Sequence, residues 1–343
     1  MLRKQIVIAI AVLVAAGVVY EYFVRPALPF AIIHEALLLD CTSFIASVQP
    51  SSRDRQTQKV VQWKSGRAET LLNLNEEVLR LSEHRSELLV ATPEELIFIN
   101  LWDADQPHRR LSFPELDDAV LVSGKLAVVS SGPTIAVVSY TGAKSPQLLK
   151  RSNLDAFDGR VVSLVRSSTS REIFAVATHR EDRDVVVAKL SVPDLSIDAH
   201  YRLGEELAAA QTPTGLRRNG SVCSCGDGVA VLSGSGLLTV WDGEPSLFTL
   251  DGGVLSISPF EETLLVTVAT ASLGRFDLVR FDLASGQLGE RLGVGDAPAV
   301  SVVDDRCLIL KPAMTIDVEV ARFEPNGEIS RTKVTATDLA QAL

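Results

Sequence analysis

The chain has 343 residues, with 33 lysines and arginines against 43 aspartates and glutamates, a formal charge of −10, and 46% hydrophobic residues. That length buries a full core in one large domain or two ordinary ones, and the acidity excludes a phosphate-tracking nucleic-acid surface, which needs clustered Lys and Arg. The apolar content excludes a chain disordered throughout, and 4 cysteines are too few for a small domain built on disulfides.

Residues 6–20 (IVIAIAVLVAAGVVY) are an unbroken apolar run behind Arg3 and Lys4. Two readings compete. A cleaved signal peptide has a basic start, an apolar stretch and a small-residue site, which Val14, Ala15 and Ala16 supply; the remainder would then be secreted. A retained anchor needs about 20 apolar residues to cross about 30 Å of hydrocarbon, and extending the run to residue 24 gives 19. The anchor is the stronger reading. Apolarity continues straight through the small-residue site, and Tyr20, Tyr22 and Phe23 sit where an interfacial aromatic belt belongs, with Arg25 just beyond. The expected organisation is a cytoplasmic basic segment at 1–5 and a signal-anchor helix at 6–24, with Ile6, Leu13, Val19, Tyr20, Tyr22 and Phe23 in the membrane. A linker at 25–33 follows, and the positive-inside bias places the rest on the periplasmic or equivalent exterior side.

From residue 34 onward the text is short apolar runs of four to eight residues, separated by Gly, Asp, Asn, Ser and Pro. Helical periodicity is scarce and β-branched residues are common, which predicts strands almost throughout. One strand-and-turn pattern recurs, in VVQWKSGR, FINLWDAD, VVSYTGAK, AKLSVPDL, LTVWDGEP, VRFDLASGQ and ARFEPNGE. Marked at Gly66, Ala104, Gly142, Asp194, Gly243, Gly286 and Gly327, the turns are spaced by 38, 38, 52, 49, 43 and 41 residues. Each interval holds four strands: 119–123, 126–130, 134–140 and 147–150 in the third, and 254–258, 264–270, 276–283 and 288–292 in the sixth. A four-stranded meander at this period is the arithmetic of a β-propeller blade. Seven units fill 34–340, so the expected fold class is all-β: a seven-bladed propeller of four-stranded antiparallel blades behind one transmembrane helix.

At these residues the chain resembles the WD40, YVTN and quinoprotein-like propellers. Val240-Trp241-Asp242 is similar to the third-strand ending of a WD repeat, and residues 282–286 (DLASG) resemble the Asp-x-x-Ser/Thr-Gly turn of YVTN and quinoprotein repeats. The resemblance covers about nine-tenths of the sequence, on period and strand grammar. No unit pairs a Gly-His with a following Trp-Asp, so the hydrogen-bonded tetrad of WD repeats is not implied. No tryptophan follows the turns at quinoprotein spacing, so neither is a quinone cofactor.

Candidate chemistry is sparse. Cys223 and Cys225 take the slots of Leu255 and Ile257 in a first, innermost strand, and Cys307 opens a second strand; all three read as small buried hydrophobes. A Cys-x-Cys metal site needs two further ligands, and the five histidines are scattered without ligand spacing, so no metal is expected. A Cys41–Cys307 disulfide is open to the chain, because ring closure makes the first and last units neighbours. Gly-Ser-Gly at 234–236 and Gly-Asp-Gly at 226–228 read as hairpin turns, not as a nucleophile elbow or phosphate loop. Propeller enzymes of the lactonase type carry carboxylates at inner-strand ends, where Asp40, Asp158 and Asp304 are the candidates, but Asp is also an ordinary turn residue.

Loop length is the better clue. Residues 50–58, 179–184 and 204–220 are long connections that a propeller gathers on one face, and they carry Arg53, Arg55, Arg180, Arg183, Arg217 and Arg218. Long loops on a rigid scaffold carry binding, and Arg is a favoured anchor. The linker holds Pro26 and Pro29 and keeps the propeller near the bilayer, whose anionic lipid repels its acidic bulk. The expected function is therefore a non-catalytic, membrane-tethered interaction module with a membrane-associated protein partner and no cofactor. The alternative is a propeller hydrolase or lactonase with its site at the central channel.

Overall fold

The computed structural model describes residues 31–342 apart from 52–56, 104–105, 141–144, 155–158, 168–170, 180–183, 205–220, 234–235, 251–252, 261–262, 271–275, 296–298, 304–306, 311–315 and 324–328. Among the described residues the strands fall into seven four-stranded sheets, each an antiparallel meander in chain order. The first comprises β1 (Ile32–Asp40), β2 (Ser43–Gln49), β3 (Gln58–Lys64) and β4 (Arg67–Leu74). The second comprises β5 (Arg80–His84), β6 (Glu87–Ala91), β7 (Glu95–Asn100) and β8 (Arg109–Ser112). The third comprises β9 (Asp118–Ser123), β10 (Leu126–Ser131), β11 (Thr134–Ser139) and β12 (Gln147–Asn153). The fourth comprises β13 (Gly159–Arg166), β14 (Glu172–His179), β15 (Val185–Ser191) and β16 (Ile197–Arg202). The fifth comprises β17 (Val222–Cys225), β18 (Gly228–Leu232), β19 (Leu237–Trp241) and β20 (Pro245–Thr249). The sixth comprises β21 (Val254–Phe260), β22 (Thr263–Ala269), β23 (Phe276–Asp282) and β24 (Gln287–Gly295). The seventh comprises β25 (Ala299–Val303), β26 (Cys307–Leu310), β27 (Asp317–Phe323) and β28 (Ile329–Thr335).

The first strand of each sheet touches the first strand of the next, from β1 through β5, β9, β13, β17, β21 and β25, and β25 returns to β1. The fold is an all-β propeller of four-stranded antiparallel blades. Its core is divided among the blade boundaries, each holding its own apolar cluster. The physical reason is the two-residue period of a strand. In β10, Ala127 and Val129 face the second blade, whereas Val128 faces the fourth. In β7, Leu96 and Phe98 face the third blade, whereas Ile97 and Ile99 face the first. A strand with a blade on either side is buried on both faces and must read as continuous apolar text. Outermost strands have no further strand beyond them, and β12 and β28 are correspondingly exposed and polar along most of their length.

The turns marked at Gly66, Asp194, Gly243 and Gly286 join third to fourth strands, whereas Ala104, Gly142 and Gly327 lie outside the described residues. In DLASG, Asp282 accepts from Ala284 N and Ser285 Oγ, both at 2.9 Å, and Gly286 takes a φ of +68°, which only glycine enters without strain. Trp241 is buried and meets Phe174 of the preceding blade edge-on at 5.9 Å. Among the described residues one element lies beyond the strand grammar: β28 runs into a short helix, α1 (Ala336–Ala340), whose N-cap Thr335 and N3 residue Asp338 form a reciprocal capping box. Leu339 of α1 is buried in the cluster between the seventh and first blades.

Among the described residues no helix is long and apolar enough to cross a membrane. The anchor expected at 6–24, with Ile6, Leu13, Val19, Tyr20, Tyr22 and Phe23, lies outside the described residues.

Candidate functional site

Strand polarity sorts the connections onto two faces. In an antiparallel meander the first-to-second and third-to-fourth turns lie at one end of the strands, here the turn face. The second-to-third and fourth-to-first connections lie at the other, here the connection face. Gln49 and Gln58, His179 and Val185, and Arg202 and Val222 are the strand ends that bracket the three long connections, and all belong to the connection face. So does Ile32, where β1 begins. The six arginines proposed as partner anchors, Arg53, Arg55, Arg180, Arg183, Arg217 and Arg218, lie outside the described residues.

What holds the feet of these connections is visible. Buried His34 faces Gln49, with Nε2 at 2.8 Å from Oε1, and Gln49 Nε2 donates to Ser51 O at 2.7 Å. Fully buried Gln58 accepts from Val78 N at 3.0 Å. The first connection therefore leaves and re-enters the blade through two amides fixed by buried hydrogen bonds. Between β14 and β15, Asp184 takes the guanidinium of Arg202 at 2.5 Å. At the boundary of the third and fourth blades, buried Asp117 accepts from Gly132 N at 2.7 Å and binds the Arg160 guanidinium through both oxygens. Those hydrogen bonds raise the Arg160 pKa. The described strand ends of this face are thus pinned by polar contacts, as in a rigid scaffold that presents its connections.

On the turn face, charged and titratable residues at the ends of innermost strands meet across blades. Arg166 at the end of β13 reaches past the third blade to the second, with Nη1 at 3.0 Å from His84 Nδ1 and 3.3 Å from Glu83 O. Burial, with Arg166 and Arg85 nearby, lowers the His84 pKa, whereas burial raises that of Glu83 against the opposing pull of Arg166. Of the three inward carboxylates considered from the sequence, Asp40 locks its own turn. It accepts from Thr42 N, Thr42 Oγ1 and Ser43 Oγ at 2.6–2.8 Å. Burial alone would raise its pKa, but these hydrogen bonds hold it below the usual carboxylate range. Asp158 and Asp304 lie outside the described residues.

The cysteines sort into two pairs. Cys223 and Cys225 stand on innermost β17 against the apolar cluster between the fifth and sixth blades. Burial pushes the Cys225 thiol up to about 11 and raises Cys223 as well, so both stay protonated and act as small hydrophobes. Among the described residues no cluster of His, Cys, Asp or Glu is placed to hold a metal ion. Cys41 and Cys307 form a disulfide between the first and last blades, with Cα atoms 5.3 Å apart.

The fold is shared with solved propellers. The β-propeller domain of Cps50 (Swd1) from Myceliophteria thermophila matches with a TM-score of 0.54 at 14% identity, over 89% of this chain and 98% of that one. BamB from Moraxella catarrhalis matches with a TM-score of 0.51 at 13% identity, over 88% of each chain. A prolyl endopeptidase matches with a TM-score of 0.53 at 12% identity, over 91% of this chain and 48% of that one. At such identities the likeness establishes the β-propeller fold alone. No protein-family model matches the chain, and no curated protein matches it by sequence.

Proposed function

We propose that this protein is a non-catalytic, membrane-tethered propeller that binds a membrane-associated protein partner through its connection face. The observation that carries the reading is one of polarity: β1 begins at Ile32 on the same face as the strand ends that bracket the long connections. An anchor at 6–24 then leaves the domain from the side on which Arg53, Arg55, Arg180, Arg183, Arg217 and Arg218 are carried. The tether and the arginine-bearing connections address the same neighbour, a protein beside the anchor in the membrane. The Cys41–Cys307 disulfide supports an oxidising compartment for the propeller, in keeping with a cytoplasmic N-terminus and an exterior domain.

The test is co-purification of partner proteins from detergent extracts with Arg217→Glu and Arg218→Glu introduced together. Partner recovery should fall while thermal unfolding hardly changes, because exposed loop charges contribute little to stability. Undiminished recovery, repeated with charge reversal at Arg53, Arg55, Arg180 and Arg183, would dispose of the reading.

A further inference from the structure

Ring closure leaves its mark at the seam between the seventh and first blades. Phe44, Ala46 and Val61 of the first blade pack there with Cys307, Ile309, Val318 and Val320 of the seventh. Residues at the end of α1 and just past it lie on the same seam: Lys59 Nζ donates to the carbonyls of Ala340 and Ala342 at 3.1 and 3.2 Å, and Thr70 Oγ1 donates to Ala342 O at 3.0 Å. The disulfide spans this seam, and its two sulfurs are not equivalent. Cys307 is 0% exposed. Cys41 sits half-buried in the turn between β1 and β2, and it lines a groove of about 350 Å³ on the turn face. Trp63 and Val320 give the groove an apolar side, and Arg322, Ser330 and Thr332 a polar one.

We propose that this groove is a thiol-exchange site, taking a small thiol that carries a carboxylate, with Cys41 Sγ as the sulfur attacked. Attack is confined to a disulfide sulfur that the nucleophile can reach, and only Cys41 faces the groove. The incoming thiolate forms a bond to Cys41 Sγ as the Cys41–Cys307 bond breaks. The electron pair departs with the Cys307 sulfur, which takes a proton from solvent, because a thiolate is not stable in that apolar cluster. A second thiol then attacks the ligand sulfur of the mixed disulfide. It leaves Cys41 as a thiol and two ligand molecules joined as their own disulfide, so that two thiols are oxidised and one protein disulfide is reduced. Arg322 sits where a ligand carboxylate gains a charge-assisted hydrogen bond. Reduction cuts the covalent tie between the end blades, and the seam cluster and the contacts of Ala340 and Ala342 continue to hold the ring. The groove is thus a redox latch on ring closure, and it stands independently of what the connection face binds.

The experiment uses the full chain, purified without reductant and kept native. It is treated with reduced glutathione, quenched in acid and mapped by peptide mass spectrometry. The expected first product carries glutathione on Cys41 with a free thiol at Cys307. Arg322→Gln should slow that reaction about two- to fivefold, in keeping with one exposed charge pair, and leave the rate with uncharged 2-mercaptoethanol unchanged. Glutathione found on Cys307, no adduct before denaturant is added, or free thiols at both cysteines in the untreated protein would overturn the exchange site. Equal slowing of both reagents by Arg322→Gln would overturn the recognition of a carboxylate.

Discussion

Asp118 Oδ2 accepts the backbone N–H of Leu164 at 2.8 Å across the boundary between the third and fourth blades. The same stitch recurs with other chemistry. Glu35 Oε2 accepts from Leu81 N at 2.8 Å between the first and second blades, and Ser82 Oγ accepts from Leu121 N at 3.0 Å between the second and third. Each time a buried side chain on an innermost strand receives an N–H from the innermost strand of the next blade. These N–H groups face a neighbouring blade instead of a ladder partner, and a buried donor needs an acceptor.

Asp118→Ala is therefore expected to destabilise strongly. It removes the acceptor of Leu164 N and that of Ala119 N, which donates to Asp118 Oδ1 at 2.8 Å. Each orphaned buried group costs about 1–3 kcal/mol. The urea midpoint should fall at nearly unchanged slope, whereas Asp282→Ala, in an exposed turn, should shift it far less. Equal shifts for the two variants would show that the stitch contributes nothing of its own.

Much of this architecture is legible in the sequence, because the two-residue period and the turn residues answer to local chemistry. The third and sixth units occupy their expected strands to within a few residues at each end, and Cys307 opens β26 as read. Cys225 is buried on innermost β17, and Cys223 packs beside it. Long-range pairing is another matter. Spacing shows that Cys41 and Cys307 could meet, but only the packed seam brings them together. Nothing in the sequence local to Glu35 or Asp118 announces the N–H each one meets in the next blade. Helix α1 had a readable signal in Thr335-Ala336-Thr337-Asp338, a capping pair that begins on the final residue of β28.

The disulfide closes a sequence separation of 266 residues, and a link of that span stabilises chiefly by restricting the unfolded chain. Cys41→Ser combined with Cys307→Ser should cost about 2–5 kcal/mol. Dithiothreitol should lower the thermal midpoint of the wild-type protein and leave that of the double variant unmoved. A double variant that still responds to dithiothreitol would place the effect elsewhere.

His84 makes a pH prediction with a definite sign. Its ring accepts from Arg166 at 3.0 Å, and burial with two nearby guanidinium groups lowers its pKa. A histidine with a lowered folded pKa binds fewer protons when folded. Its contribution is present above the unfolded value of about 6.5 and is lost as pH falls through the folded value. His108, lowered by burial and Arg110, acts in the same direction, whereas Glu83 and Glu87, raised by burial, oppose it. Comparison with His84→Gln cancels those other groups. The fall in thermal midpoint from pH 7.5 to 5.5 should be smaller in the variant, and an equal or larger fall would remove His84 as a contributor.

The proposed tether predicts which way the propeller faces. β1 begins at Ile32 on the connection face, so an anchor ending at residue 24 leaves seven residues, 25–31, to reach it. Extended chain spans at most about 3.3–3.6 Å per residue, and Pro26 and Pro29 restrict the segment further. The connection face must then lie within roughly 25 Å of the anchor's end, with the turn face directed away. Trp102, 85% exposed in the turn between β7 and β8, marks that far face. Ser51, just beyond β2, marks the near one. Fluorophores attached at Ser51→Cys and at Trp102→Cys, in full-length protein reconstituted into vesicles, should respond differently to a quencher on lipid headgroups. The label at 51 should be quenched well beyond the label at 102. Equal quenching would mean that the domain tumbles freely on its linker, and the reverse order would mean that the connection face does not look toward the membrane. A mature N-terminus at Gly17, with release into the soluble fraction, would replace the tether by a cleaved signal and leave the propeller without its membrane orientation.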